Sequence, residues 1–71
     1  MDIRHLKMIR EVAAQGNLTR AAESLFLSQS ALSHQLKEVE DYFKTQIFIR
    51  QKKQMLLTDA GRIILEASER I

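Results

Sequence analysis

The stretch from Asn17 to Phe43, NLTRAAESLFLSQSALSHQLKEVEDYF, decides the fold of this chain. It holds two helix-compatible runs, separated by the four residues 25–28. Asn17 heads the first run and Ser28 heads the second. Both residue types are favoured N-caps, because a short side-chain oxygen accepts a free backbone N–H of the first helical turn. The pattern predicts two consecutive helices joined by a short turn.

The second run has two chemically different faces. Its apolar residues recur with a spacing of i, i+4, i+7 and i+11, which forms one stripe on a helix. The other face is polar, and its side chains near the N-terminus are small or flexible. A helix that enters the major groove requires such a face. The pair therefore predicts a helix-turn-helix with a recognition helix over residues 28–43. The apolar stripe consists of Leu32, Leu36, Val39 and Phe43, and the polar face of Gln29, Ser30, Ser33, His34 and Lys37.

The polar face carries the candidate base-reading groups. A glutamine amide such as that of Gln29 can pair with adenine through two hydrogen bonds, and serine hydroxyls can donate or accept with several bases. His34 and Lys37 reach further, toward guanine or phosphates. We expect Gln29, Ser30, Ser33 and His34 to read bases.

Candidate phosphate contacts lie on both sides of this helix. Ser28 stands at the predicted N-terminus of the recognition helix, where free backbone N–H groups can bind a phosphate. Between Tyr42 and Thr58 there are four basic residues and no acid, so that segment suits a polyanion, although a solvated surface loop explains the charge equally well. A bond from the Thr19 hydroxyl to its own backbone is likewise as plausible as a phosphate contact. The candidate phosphate residues are Thr19, Ser28, Lys37, Arg50, Lys52 and Lys53.

The remaining segments predict one helix before this pair, and a hairpin and a helix after it. The first helix should run from about residue 2 to 15 and stop at Gly16, which readily adopts the left-handed conformation. Two short β-type runs, 47–49 and 55–57, flank five polar residues, so we expect a hairpin with a five-residue loop over 50–54. Thr58 then caps a fourth helix.

The fourth helix repeats the apolar spacing as far as the last residue of the chain. We expect this stripe to be a seam for a partner helix, although it could instead pack only against its own domain. The predicted order of elements is helix, helix, helix, strand, strand, helix, which is a mainly α fold. The seam consists of Ala60, Ile64, Ala67 and Ile71.

Composition excludes several other classes. The 71 residues suffice for one domain, and the absence of cysteine excludes disulfides and thiolate metal sites. His5 and His34 fall on different predicted helices without a third ligand, so we expect no metal, no cofactor and no enzymatic activity. No apolar run is long enough for a membrane span, and we expect a cytoplasmic, nucleoid-associated protein without a signal peptide.

The chain resembles the N-terminal domain of LysR-type transcriptional regulators. The matching segments include 3–6 (IRHL), 17–23 (NLTRAAE), 27–33 (LSQSALS), 47–50 (IFIR) and 57–61 (LTDAG), and the resemblance covers essentially the whole chain. The resemblance implies a winged helix-turn-helix of three helices and a β-hairpin wing over 50–54, which forms a DNA-binding domain over 1–57. The start of a linker or dimerisation helix follows over 58–71. The resemblance also implies promoter DNA as partner, a homodimer through the linker helix, tetramers of the full-length protein, and a small-molecule effector bound only by an absent C-terminal domain. In that family, positions 29, 30, 33 and 34 face the major groove, and positions 50 and 53 meet the backbone or minor groove.

Three positions depart from the family pattern. The family usually has proline where Ser30 stands, arginine where His34 stands and glycine where Lys44 stands. Segment 29–35 is similar to the methionine-biosynthesis activator branch, whose co-inducer is homocysteine. At Lys44, either the lysine adopts the left-handed conformation at a cost of about 1 kcal/mol, or the helix ends differently.

Two alternatives to DNA binding make distinct predictions. A protein-interaction module requires an exposed apolar patch on the third helix, where this sequence has polar residues. RNA-binding modules use aromatic side chains on a sheet for stacking, and at least two of the four aromatic residues here look like core.

Overall fold

A computed structural model describes residues 2–69 as four helices and a two-stranded antiparallel hairpin. The mainly α, winged helix-turn-helix architecture is therefore confirmed. Ile71 of the predicted seam lies outside the described residues. The elements are α1 (Ile3–Gln15), α2 (Leu18–Ser24), α3 (Gln29–Phe43), β1 (Phe48–Gln51), β2 (Gln54–Leu57) and α4 (Asp59–Glu69).

Helix α1 begins in a capping box and ends at a glycine. The Asp2 carboxylate accepts the Arg4 backbone N–H at 2.9 Å, and the Asp2 backbone N–H donates to Nδ1 of His5 at 3.2 Å. A side-chain hydrogen bond from Arg4 lowers the pKa of Asp2 to about 2. Gly16 closes the helix in the left-handed conformation, as the sequence predicts.

The predicted caps of α2 and α3 are both present. The Asn17 side chain accepts the backbone N–H of Arg20 at 3.0 Å, and the Ser28 hydroxyl accepts that of Ala31 at 3.1 Å. Both cap residues lie one position before their helices, so the recognition helix itself begins at Gln29. In the turn between the helices, Phe26 has a positive φ of 57° and is 94% exposed.

The core forms where α1, α2 and α3 meet the wing. Paired alanines on α2 allow close helix approach, since they add little side-chain bulk. Of the predicted α3 stripe, three residues are buried and Phe43 packs at the margin. The buried apolar residues are Met8, Ile9, Val12, Leu18, Ala21, Ala22, Leu32, Leu36, Val39, Ile47, Phe48 and Met55.

The hairpin is longer than the sequence pattern predicts, and its turn is shorter. The expectation of a five-residue wing loop over 50–54 is wrong, because Arg50, Gln51 and Gln54 lie in the strands. The turn contains only Lys52 and Lys53. Lys52 has a φ of 56°, which supplies the left-handed residue that two-residue hairpin turns need without a glycine or asparagine.

Strand β2 is also bonded to the end of the first helix. The backbone N–H of Met55 points away from β1 and donates to the carbonyl oxygen of Gly16 at 3.0 Å. This bond joins the wing to the α1–α2 loop and so holds β2 against the end of α1.

Two junctions connect the wing to the helices. At the entry, Lys44 ends α3 with a φ of 55°, so the lysine does adopt the left-handed conformation. At the exit, Thr58 caps α4 as predicted: its hydroxyl accepts the Gly61 backbone N–H at 2.9 Å. Ile64 and Leu65 then bring α4 against the core. Within residues 2–69, every helix is too short or too polar to cross a membrane.

Candidate nucleic-acid interface

Helix α3 presents its polar face to solvent. All five polar residues of that face are exposed, while Leu32, Leu36 and Val39 on the opposite side are buried. The caps and the apolar stripe thus orient the helix so that the predicted base-reading groups are accessible together. The exposed residues are Gln29, Ser30, Ser33, His34 and Lys37.

A cleft beside the N-terminus of α3 gathers residues from three elements. It has a volume of about 330 Å³. Thr19 comes from α2, Gln29 from α3, and Arg50 and Lys53 from the wing, while Leu18 and Met55 contribute apolar lining. Four predicted contact residues, distant in sequence, therefore surround one concave and positively charged surface.

A hydrogen bond connects the two helices across this cleft. The Thr19 hydroxyl donates to Oε1 of Gln29 at 3.4 Å. Because the amide oxygen faces α2, the Nε2 group remains available as a donor, and Oε1 retains a second lone pair. Thr19 thus positions the side chain proposed to read bases, in addition to any phosphate contact.

The other predicted contact residues lie outside this cleft. Lys52 is exposed at the wing tip, and Lys37 lies two turns further along α3. The Ser28 hydroxyl serves as the α3 cap, so its oxygen is engaged while its hydrogen can still donate.

Two residues near the interface were not predicted from the sequence to belong to the site. Asn17 lines the cleft as well as capping α2. Glu38 lies 3.6 Å from Nε2 of His34, measured at Oε1. Glu38 follows His34 at i+4, a spacing that places both side chains on one face of a helix. This pattern could have identified Glu38 from the sequence.

The predicted seam on α4 is divided between the core and solvent. Ala60 and Ile64 are half-buried, and Ile64 packs against the core of the same domain. Ala67 is exposed, and so is Ile63, which is 66% accessible. The apolar surface that α4 leaves open therefore follows Ile63 and Ala67, not the whole predicted stripe.

These features define a winged helix-turn-helix DNA-binding domain. The family model described as bacterial regulatory helix-turn-helix protein, lysR family, matches residues 3–62. The chain therefore belongs to the LysR family, as the resemblance of its motifs indicates, and it is the DNA-binding domain of a LysR-type transcriptional regulator.

Similar proteins of known class support this assignment. The transcriptional regulator cbl of Escherichia coli K12 is 44% identical over 73 residues, which cover all of this chain and 23% of that protein. The RuBisCO operon transcriptional regulator of Allochromatium vinosum is 41% identical over 71 residues, covering all of this chain and 24% of that protein. The chain thus spans about a quarter of the length of these regulators.

The fold also matches a solved complex with DNA. The DNA-binding domain of CbnR, in its crystal structure with DNA, superposes with a TM-score of 0.91 and 33% identity. The match covers 99% of this chain and 80% of that one.

Proposed function

We propose that this domain reads a specific double-stranded DNA site with α3 in the major groove and the wing on the adjacent backbone or minor groove. The observation that carries the proposal is the polar α3 face, exposed along its length and flanked by a cleft that bears Arg50 and Lys53. In this arrangement Gln29, Ser30, Ser33 and His34 contact base edges. Thr19, Ser28, Lys37, Arg50, Lys52 and Lys53 contact phosphates.

The geometry of the cleft favours this division of roles. Gln29 lies at the N-terminal end of α3, where a recognition helix approaches bases most closely. Arg50 and Lys53 of the wing and Thr19 of α2 line the same cleft as Gln29. Base contacts specify the sequence, whereas phosphate contacts fix the register of the protein on the duplex.

The alternatives fit the exposed surface less well. A protein-docking surface on α3 requires an apolar patch, yet the exposed face carries serine, glutamine, histidine and lysine. RNA stacking requires aromatic side chains on the sheet. The exposed aromatics are Phe26 in a turn and Tyr42 near the end of α3, and the outer face of the hairpin presents Ile49 and Leu56.

We further propose that α4 is part of a dimerisation helix and that the full-length protein forms tetramers on promoters. The exposed Ile63 and Ala67 support a helix–helix contact. The other members of the predicted seam, Ala60, Ile64 and Ile71, stay predictions from the sequence. We also propose that the protein regulates transcription without enzymatic activity and that it is located in the cytoplasm at the nucleoid. A separate domain would bind its effector. Homocysteine as that effector stays a prediction from segment 29–35.

Selection of duplexes from a random library by this chain tests the proposal, since a DNA reader enriches one consensus. A palindromic consensus indicates a dimer. Replacement of Gln29 by Ala should flatten the preference at one base pair, corresponding to about 1–3 kcal/mol of discrimination. Failure of the wild-type chain to enrich any sequence contradicts the proposal.

Salt dependence tests the phosphate contacts separately. Lys53→Ala should weaken binding to all duplexes alike and reduce the slope of log K against log[salt] by about one unit. Lys7→Ala is the matched control, because Lys7 is exposed on α1 and does not line the cleft. Equal changes in slope for the two variants would show that the wing has no special role.

A further inference from the structure

Glu38 lies between the two histidines of the chain. Its Oε1 is 3.6 Å from Nε2 of His34, one turn earlier on the exposed face of α3. Its Oε2 is 3.9 Å from Nε2 of His5, which belongs to α1. One carboxylate on the recognition helix therefore faces imidazole rings from two helices.

The capping box of α1 orients the His5 ring. Nδ1 of His5 accepts the backbone N–H of Asp2 at 3.2 Å and lies 3.3 Å from Oδ1 of Asp2, so Nε2 is the nitrogen that faces Glu38. The His5 side chain is only 15% exposed, so its position is constrained. His5 thereby places a constrained imidazole on the α1 side of the Glu38 carboxylate.

We propose that Glu38 is a positioning residue that directs Nε2–H of His34 toward α3 and leaves Nδ1 as the ring atom offered to DNA. This inference rests on the proposed function, in which His34 faces base edges. A neutral ring held in this way presents a lone pair at Nδ1. The base it can recognise is one with an exocyclic amino group in the major groove, which is adenine or cytosine.

The charge of Glu38 makes a direct role in DNA affinity unfavourable. A carboxylate beside the DNA-facing surface repels phosphates of every sequence to a similar extent. Its benefit must therefore appear as discrimination between bases, through the orientation of His34. Arg4 on α1 also lies near Glu38 and offsets part of its charge.

The protonation sites of the histidine rings provide the first test. Long-range ¹H–¹⁵N NMR spectra of the chain at pH 8 distinguish a hydrogen on Nε2 from one on Nδ1. We expect His34 in the wild type to carry its hydrogen on Nε2 and to give a mixture of both forms in Glu38→Ala. Glu38→Gln keeps an acceptor oxygen and should restore the wild-type form.

Base preference provides the second test, with the selected consensus and duplexes altered at single positions. His34→Ala identifies the base pair that depends on His34. Glu38→Ala should reduce the affinity ratio at that same base pair about 3- to 10-fold, the effect of losing one oriented hydrogen bond. Affinity for unrelated duplexes should rise or stay level.

The controls separate orientation from charge and folding. Asp41→Ala removes another exposed acid of α3, one that forms no ion pair within residues 2–69, and should leave the ratio unchanged. Thermal melting checks that Glu38→Ala is folded, as expected for an alanine on a half-exposed helical surface. An unchanged His34 tautomer and base preference in Glu38→Ala overturn the inference. A wild type that selects no sequence instead overturns the proposed function.

Discussion

The two junctions of the wing meet at the same residue, Ile47, but they are built in opposite ways. At the entry, the Glu40 side chain accepts the Ile47 backbone N–H at 3.0 Å, next to a lysine in the left-handed conformation. At the exit, Thr58 N–H donates to the Ile47 carbonyl at 3.0 Å, and Gly61 packs directly against that carbonyl. The entry depends on an adjustable side chain, whereas the exit depends on close backbone contact without spare volume.

The exit should therefore be the less tolerant of the two. In Gly61→Ala, the added Cβ would overlap the Ile47 carbonyl oxygen and lie 3.0 Å from Cδ2 of Leu57. We expect the free energy of unfolding to fall by about 2–3 kcal/mol, despite the better helix propensity of alanine. Chemical denaturation of the variant measures this change.

The other glycine provides the matched control. Gly16 has nothing within 4 Å of an added Cβ, and only its φ of 64° disfavours alanine. Gly16→Ala should lower the free energy of unfolding by about 1 kcal/mol. If Gly61→Ala proves no more harmful than Gly16→Ala, the exit is not close-packed and the contrast between the junctions disappears.

The entry should show an intermediate loss when its acceptor is removed. Glu40→Ala leaves the buried Ile47 N–H without its hydrogen bond, which should lower the free energy of unfolding by about 1–2 kcal/mol. Glu40→Gln retains an acceptor oxygen and should lose less. Equal losses in both variants would assign the effect to the charge of Glu40 and not to the hydrogen bond.

The smallest expected effect is a gain at the same junction. Lys44→Gly removes the left-handed strain at a φ of 55° and should raise the free energy of unfolding by about 0.5–1 kcal/mol. Lys44→Ala loses the same charge but keeps a Cβ, so it should give no such gain. A gain in both variants would indicate relief of charge repulsion.

The comparison of the two junctions also shows which features could be predicted from the sequence alone. Asn17, Ser28 and Thr58 could be identified as caps because the signal lies within one helical turn. The apolar stripe predicted which face of α3 is exposed, and therefore most of the candidate site. These patterns depend on residues close together in the sequence, so they can be recognised without knowledge of the tertiary structure.

The features that were missed depend on residues far apart in sequence or on unusual backbone choices. The two-residue wing turn was hidden because Lys52, not glycine or asparagine, adopts the left-handed conformation. His5 and Glu38 are 33 positions apart in the sequence, and neither segment contains a pattern that predicts their contact. The division of the α4 stripe between core and solvent likewise depends on tertiary packing, which periodicity alone does not give.

The hydrogen bond from Met55 to Gly16 has a consequence for the behaviour of the domain in concentrated solution. An uncovered strand edge offers unpaired N–H and C=O groups to other molecules and so promotes aggregation. Here the outer edge of β2 already donates to the end of α1, which leaves less of that edge open to an incoming strand. The bond to the end of α1 therefore lowers the tendency of this two-stranded sheet to pair with strands of other molecules.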